Sequence, residues 1–445
     1  MSLPLASNAV PPKALIGASI PRSGHHFMQS LLSHYFGPDL YYCEVYTRAD
    51  CCHQVPCVRG AGRTAVYQKS HDRRGEIPKD VAEAIYVIQY REPVSEALSD
   101  RELDLSDRLG RRSLNYRLST DHYAWWLAGK AAYYRNFHDK WFSPRVENGV
   151  YLDYAFLSGN PHAALTSIAQ VTAGRADEFR VASAVERAGS VRAGAVHRKS
   201  DPAPYTPRKI EDSPHFDREL LAAFEAYVLQ RCPNFGFSPR LGNADAAHPF
   251  FGLVLLHDER EPLPNGATDR LDAAAKFAPH HPEIALRLAK RDISQGAPEL
   301  AIPRLETLLA GNPFFGPAYR QLFGAYEEIG RAIPYRYLDG NAVFACSDSP
   351  KLLAELAAVY GARGMAVNAL AALSMAAALA PDDFRINHLY AKALADEKRW
   401  ELALIHADRA AALRPNSKAN TQLLSKARKQ AGQGASPSLA SSVEA

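Results

Sequence analysis

Ala14-Leu15-Ile16-Gly17-Ala18-Ser19-Ile20 is a run of small and branched apolar residues. Pro21-Arg22-Ser23-Gly24-His25-His26 follows it, and then Phe27-Met28-Gln29-Ser30-Leu31-Leu32. The first run has the texture of a buried strand, the second of a tight polar loop, the third of an amphipathic helix start. In that order they aim backbone N–H groups and the positive end of a helix dipole at an anion. Arg22 supplies a full charge, Ser23 a hydroxyl, and Gly24 room for close backbone approach. A nucleoside-triphosphate loop needs G-x4-G-K-[ST], and this segment has neither the first glycine nor the G-K pair. Taken alone, it is equally an ordinary polar turn between strand and helix.

A second segment has the same grammar. Ala84-Ile85-Tyr86-Val87-Ile88-Gln89-Tyr90 reads as a strand and runs into Arg91-Glu92-Pro93-Val94-Ser95-Glu96-Ala97-Leu98-Ser99. The proline marks a helix start, and Ser99 follows Arg91 by about two helical turns. Arg91 and Ser99 are thus expected to reach one anion at the carboxyl edge of a parallel sheet, where such sheets bind ligands.

With these two segments the chain resembles the sulfotransferases that use 3′-phosphoadenylyl sulfate (PAPS). Pro21-Arg22-Ser23-Gly24-His25-His26-Phe27 is similar to their phosphosulfate loop, P-[KR]-S-G-T-T-W, and Arg91 through Ser99 to their 3′-phosphate segment. Val66-Tyr67-Gln68-Lys69-Ser70-His71 resembles the strand that ends K-[TS]-H. Val150-Tyr151-Leu152-Asp153-Tyr154-Ala155-Phe156-Leu157 looks like the Y-E-D-L strand without its acidic pair. Arg198-Lys199 stands near the place of the late R-K-G segment, with Ser200 for glycine. The five lie in order over residues 14–237.

The resemblance implies a three-layer α/β domain with a parallel, P-loop NTPase-like sheet. It implies sulfuryl transfer from PAPS, a donor co-substrate, to a hydroxyl or amine acceptor, with no metal required. Arg22 would neutralise the phosphosulfate, the amides around Ser23 and Gly24 would cradle it, and Phe27 would stack on adenine. His25 and His26 replace a Thr pair, so donation there is expected to be pH-sensitive. Arg91, Ser99, Arg198 and Lys199 would hold the 3′-phosphate. His71 would be the general base and Lys69 would reach the bridging oxygen of the leaving group. Glu44, at the position a glutamate base takes in the tyrosylprotein branch, is the rival base. The acceptor class stays open among carbohydrate, lipid-linked glycan, small alcohol and peptide.

Two other readings compete. A kinase-like phosphotransferase would need a G-K-[ST] loop and a magnesium carboxylate at a strand end, and Asp80 and Asp100 are not so placed. A non-catalytic scaffold would keep a degenerate transferase half and use a partner-binding module.

That module is the second half of the chain. The 445 residues allow two to four domains at roughly 100–200 residues each. Strand signals run through residues 14–240 and nearly vanish in residues 248–430, where Ala/Leu-rich helical patterns take over. Residues 1–13 form an extension and 431–445 a Ser/Ala-rich tail expected to be disordered. Prolines at 282, 313, 350, 381 and 415 punctuate the helical half at intervals of 31, 37, 31 and 34. These bracket the 34-residue period of tetratricopeptide repeats. An all-α tetratricopeptide-like array is expected, clearest in its last two units and poorest over 316–350. It would hold a protein partner or a second copy; the alternative is an irregular helical domain that only props up the first half.

Composition excludes some classes. The net charge of +4 is too small for a nucleic-acid coat. No run of eighteen apolar residues suggests a membrane span. Without a visible secretory signal, a cytoplasmic protein is expected. Cys43, Cys51, Cys52 and Cys57 crowd together without zinc-module spacing; with His53 beside them a metal site is one reading, and a local disulfide or a reduced, partly buried cluster is the favoured one. The aromatic stretch from Asp121 to Trp141 reads as core rather than a substrate platform, and Arg101, Arg108, Arg111 and Arg112 as an exposed charged loop rather than a cluster that attracts an acidic acceptor or the cofactor.

Overall fold

The computed structural model describes residues 13–45, 51–108, 114–194, 209–338, 340–347 and 349–434. They form two compact units, residues 1–107 with 126–261 and residues 108–125 with 262–445. The change of texture along the sequence puts the joint around Pro239–Ala247. In the structure the helix Pro249–His257 packs within the first unit, its Phe250 edge-on to Phe224 and Tyr227.

The first unit is built on five parallel strands, β1 (Lys13–Ser19), β2 (Leu40–Glu44), β3 (Ala65–Ser70), β4 (Ile85–Tyr90) and β5 (Gly149–Asp153), in the order β2-β3-β1-β4-β5. Parallel pairing requires crossovers, and α1 (His25–Phe36) and α2 (Pro93–Arg108) follow β1 and β4. The central strands are apolar on both faces because helices cover both. On one face Leu15, Tyr67 and Val87 pack on Met28, Leu31 and Leu32 of α1 and on Leu165, Ile168 and Val181. On the other, Tyr86 lies against Trp141, with ring centroids 5.5 Å apart, at the end of the helix Thr120–Trp141. The aromatic stretch is core as read: Trp141 and Tyr134 are fully buried.

Two expectations need correction. The strand read through 150–157 stops at Asp153, whose carboxylate accepts from the Ala155 amide and caps a helix beginning at Tyr154. Arg101 is on α2, 1% exposed, with its guanidinium over the Trp126 ring, not in an exposed loop. Arg111 and Arg112 lie outside the described residues, as does the side chain of Arg108.

The second unit carries tetratricopeptide-like helical repeats. Helices start at Pro282, Gly316, Pro350, Phe384 and Lys418, each 34 residues after the last. Partner helices start at Pro298, Ala366 and Trp400, in phase with them. The segment 316–350 therefore belongs to the array. It fitted poorly because Pro282 and Pro350 are first helical residues while Pro313, Pro381 and Pro415 sit in the preceding turn. Its partner helix is replaced by the single turn Tyr335–Tyr337 and the short helix Gly340–Ala345. Small residues line the crossings: Ala369, Ala376, Ala403 and Ala407 are buried. Among the described residues no helix is long and apolar enough to cross a membrane.

Candidate functional site

Parallel strands end at one edge, so their last residues collect there whatever their distance in sequence. Glu44 ends β2, Ser70 ends β3 and His71 follows it, Ser19 ends β1 and Arg91 follows β4. Glu44 is in register with Lys69, and Gly17 with Lys69 on the other side. By this route six of the residues proposed from sequence gather into two hydrogen-bonded groups, Arg22 with Arg91 and Ser99, and Lys69 with Glu44 and His71.

On one side of the edge sit the cations. The backbone turns through Arg22 (φ 62°) and Gly24 (φ 85°), both left-handed. Gly24 is required twice, because a Cβ there would also lie 2.9 Å from the Tyr154 ring. The turn projects the Arg22 Nε onto Ser99 Oγ at 3.0 Å, while Arg91 donates to the Arg22 carbonyl at 3.1 Å and stacks on Tyr154 at 4.5 Å. Two segments of chain, 77 residues apart at the Arg22–Ser99 hydrogen bond, thus meet. Ser23 is fully buried and its Oγ has no hydrogen-bond partner. A buried orphan hydroxyl is costly unless a ligand satisfies it. Gln89 donates to the Ser23 carbonyl at 3.3 Å and steadies the turn. Phe27 is partly buried against the core that α1 makes.

On the other side sit the titratable groups. Lys69, 1% exposed, donates to Glu44 Oε1 at 2.9 Å and lies 3.1 Å from His71 Nε2. His71 Nδ1 faces the Ser19 carbonyl at 2.9 Å. A carbonyl can only accept, so Nδ1 carries the proton and Nε2 keeps the lone pair. Tyr133 donates to the His71 carbonyl at 2.7 Å. Burial first, and then the Lys69 charge, push His71 down to about 4. Burial alone would raise Glu44, but the Lys69 hydrogen bond and charge hold it below the usual carboxylate range. Burial lowers Lys69 and Glu44 opposes that. The site therefore presents a neutral imidazole and a carboxylate, both held by one ammonium.

His25 packs 3.9 Å from His26 and edge-on to His71 at 5.0 Å. Burial, with Lys69, His26, His71 and Arg22 nearby, lowers it to about 2. The expected pH-sensitive donation thus fails for His25, which stays neutral throughout the physiological range. Arg198 and Lys199 lie outside the described residues. Ser19, Tyr154, Gln89 and Tyr133 were missed from sequence. Ser19 alone carried a signal, as the polar last residue of a strand otherwise apolar or glycine after Lys13. Among the described residues, no group of three or more His, Cys, Asp or Glu side chains is arranged to hold a metal ion.

No protein-family model matches the chain, and no curated protein does. Solved structures do. A crystal structure of MamA is 19% identical over 33% of this chain and 80% of its own, with a TM-score of 0.26. A thermophilic TPR protein from Thermus thermophilus is 21% identical over 48% of this chain and 97% of its own, with a TM-score of 0.25. The Cut9–Hcn1 hetero-tetramer of APC/C is 14% identical over 76% and 68%, with a TM-score of 0.30. These are loose likenesses; the assignment of the second unit rests on its own helix phasing.

Proposed function

We propose that the first unit is a sulfotransferase that moves a sulfuryl group from PAPS to a hydroxyl or amine acceptor. The observation that carries this reading is the meeting of Arg22, Arg91 and Ser99 around a loop whose Ser23 hydroxyl is buried and unpartnered. A donor bearing phosphosulfate and 3′-phosphate needs two anion sites, and the loop and the β4–α2 junction supply them. In-line transfer demands positioning and charge stabilisation, with a base for the acceptor proton. Lys69 is the cation for the leaving oxygen. His71, with its tautomer set by Ser19, is the base. Its Nε2 becomes available once Lys69 turns to the donor. Glu44, ionised and equally held by Lys69, is the rival.

The test is retention on an adenosine 3′,5′-bisphosphate resin with elution by that nucleotide. Arg22→Ala and Arg91→Ala should each abolish retention, and a wild-type protein that flows through refutes the reading. His71→Ala should keep binding and lose turnover; normal turnover in it assigns the base to Glu44.

A second reading, a partner-binding scaffold with a degenerate transferase half, is favoured by the regular 34-residue phasing of the second unit. It also draws on the replacement of the expected Thr pair by His25 and His26. It predicts no retention, and capture of a protein partner by the second unit.

A further inference from the structure

β2 is an edge strand, and beside it the chain gathers four thiols. Cys43, on β2, has its Sγ 4.0 Å from Cys51 Sγ and a hydrogen bond to Cys57. Cys52 Sγ lies 3.3 Å from Cys57 Sγ, and the two share a hydrogen bond. Cys52 and Cys57 are free thiols; Cys43, Cys51 and Cys57 are buried and Cys52 is half-buried. The sulfurs of Cys52 and Cys57 need to close by only about 1.3 Å to reach disulfide length.

We propose that Cys52 and Cys57 are a modification site, a dithiol that a hydroperoxide oxidises reversibly to a disulfide. The Cys52 thiolate attacks the peroxide. A sulfur–oxygen bond forms, the O–O bond breaks, and the departing hydroxide or alkoxide takes a proton from solvent. Sulfur gives up two electrons and becomes a sulfenic acid. Cys57 then attacks that sulfur. The S–S bond forms as the S–O bond breaks, and the hydroxyl leaves with the Cys57 proton as water.

The environment divides the roles. Burial opposes ionisation of Cys52, but backbone hydrogen bonds around Gln54 and the Cys57 thiol hold it below the ordinary thiol range. Burial raises Cys57, and its hydrogen bond to Cys52 raises it further. The attacking thiol is therefore the more exposed and more acidic one, and the resolving thiol waits beneath it. Cys43 is buried and raised well above the usual thiol, so it does not compete. The loop is fastened to the strand carrying Lys69, since Gln68 donates to the Gln54 carbonyl at 2.6 Å.

The experiment treats the reduced full-length chain with hydrogen peroxide, blocks remaining thiols with N-ethylmaleimide and maps the peptides by mass spectrometry. Expected are a Cys52–Cys57 cross-link, lighter by two hydrogens and reversed by dithiothreitol, and a Cys57→Ser variant that traps dimedone on Cys52. Before oxidation, Cys52 should alkylate at least about tenfold faster than Cys57. The proposal is overturned if both thiols stay free under peroxide and Cys57→Ser takes no dimedone, or if the cross-link joins Cys43 to Cys51. It is also overturned if one equivalent of zinc accompanies the protein and only its removal exposes these thiols.

Discussion

Acidification should destabilise the first unit through its two site imidazoles, and the size of the effect follows from their burial. His25 and His71 are held at about 2 and about 4 in the fold, against ~6.5 in the unfolded chain. Both folded values lie below the unfolded one, so the unfolded state binds more protons, and stability is lost as pH falls through 6.5. Between pH 7 and pH 5 each imidazole stays neutral in the fold and charges on unfolding, which costs about 2 kcal/mol apiece. Only values below pH 5 are needed for this result. Glu96 acts the other way: burial raises it to about 7, so it takes up a proton in the fold first. The measurement is therefore a comparison with a His25→Asn/His71→Asn variant. Urea unfolding, read by pulse-labelled amide protection of β1, β3 and β4, should show the pH 7 to pH 5 loss shrinking by about 4 kcal/mol in the variant. A variant whose pH dependence equals that of wild type within about 1 kcal/mol refutes the claim that these half-buried rings stay neutral in the fold.

Lys69→Met removes the cation that depresses His71, so the His71 imidazole should titrate at higher pH by NMR, and turnover should fall by about 100-fold or more. Gly24→Ala must hold alanine at φ 85° against the Tyr154 ring; thermal unfolding should show a loss of about 1–2 kcal/mol, with weakened nucleotide retention. Ala407→Leu overfills a fully buried crossing beside Ala391 and Leu424 and should cost the second unit about 1–3 kcal/mol in a denaturant titration.

The repeat half shows how far sequence periodicity carries. Proline marks where a helix cannot continue, but it serves equally in the turn before a helix and at its first position. Intervals of 31 and 37 therefore disguised a constant 34. The period became exact in structure because helix starts, not prolines, repeat when identical pairs stack. The Arg101 reading failed for a related reason. A charged residue in a polar-looking run can still face inward when an aromatic such as Trp126 lies over its guanidinium.

For the candidate site, strand–loop–helix grammar, written within about ten residues of chain, was enough to name Arg22, Ser23, Gly24, Arg91 and Ser99, whereas Lys69 and His71 came only with the family resemblance. Which of them touch is a matter of sheet order, and strand order is not encoded locally. Placing β1 between β3 and β4 is what sets His71 on the Ser19 carbonyl and Arg22 on Ser99. Pairing β2 with β3 is what places the Glu44 carboxylate on Lys69. Protonation states were out of reach for the same reason. A histidine's local sequence says nothing about the water it loses, and only tertiary burial beside a lysine lowers His25 and His71 far enough to be neutral at pH 7.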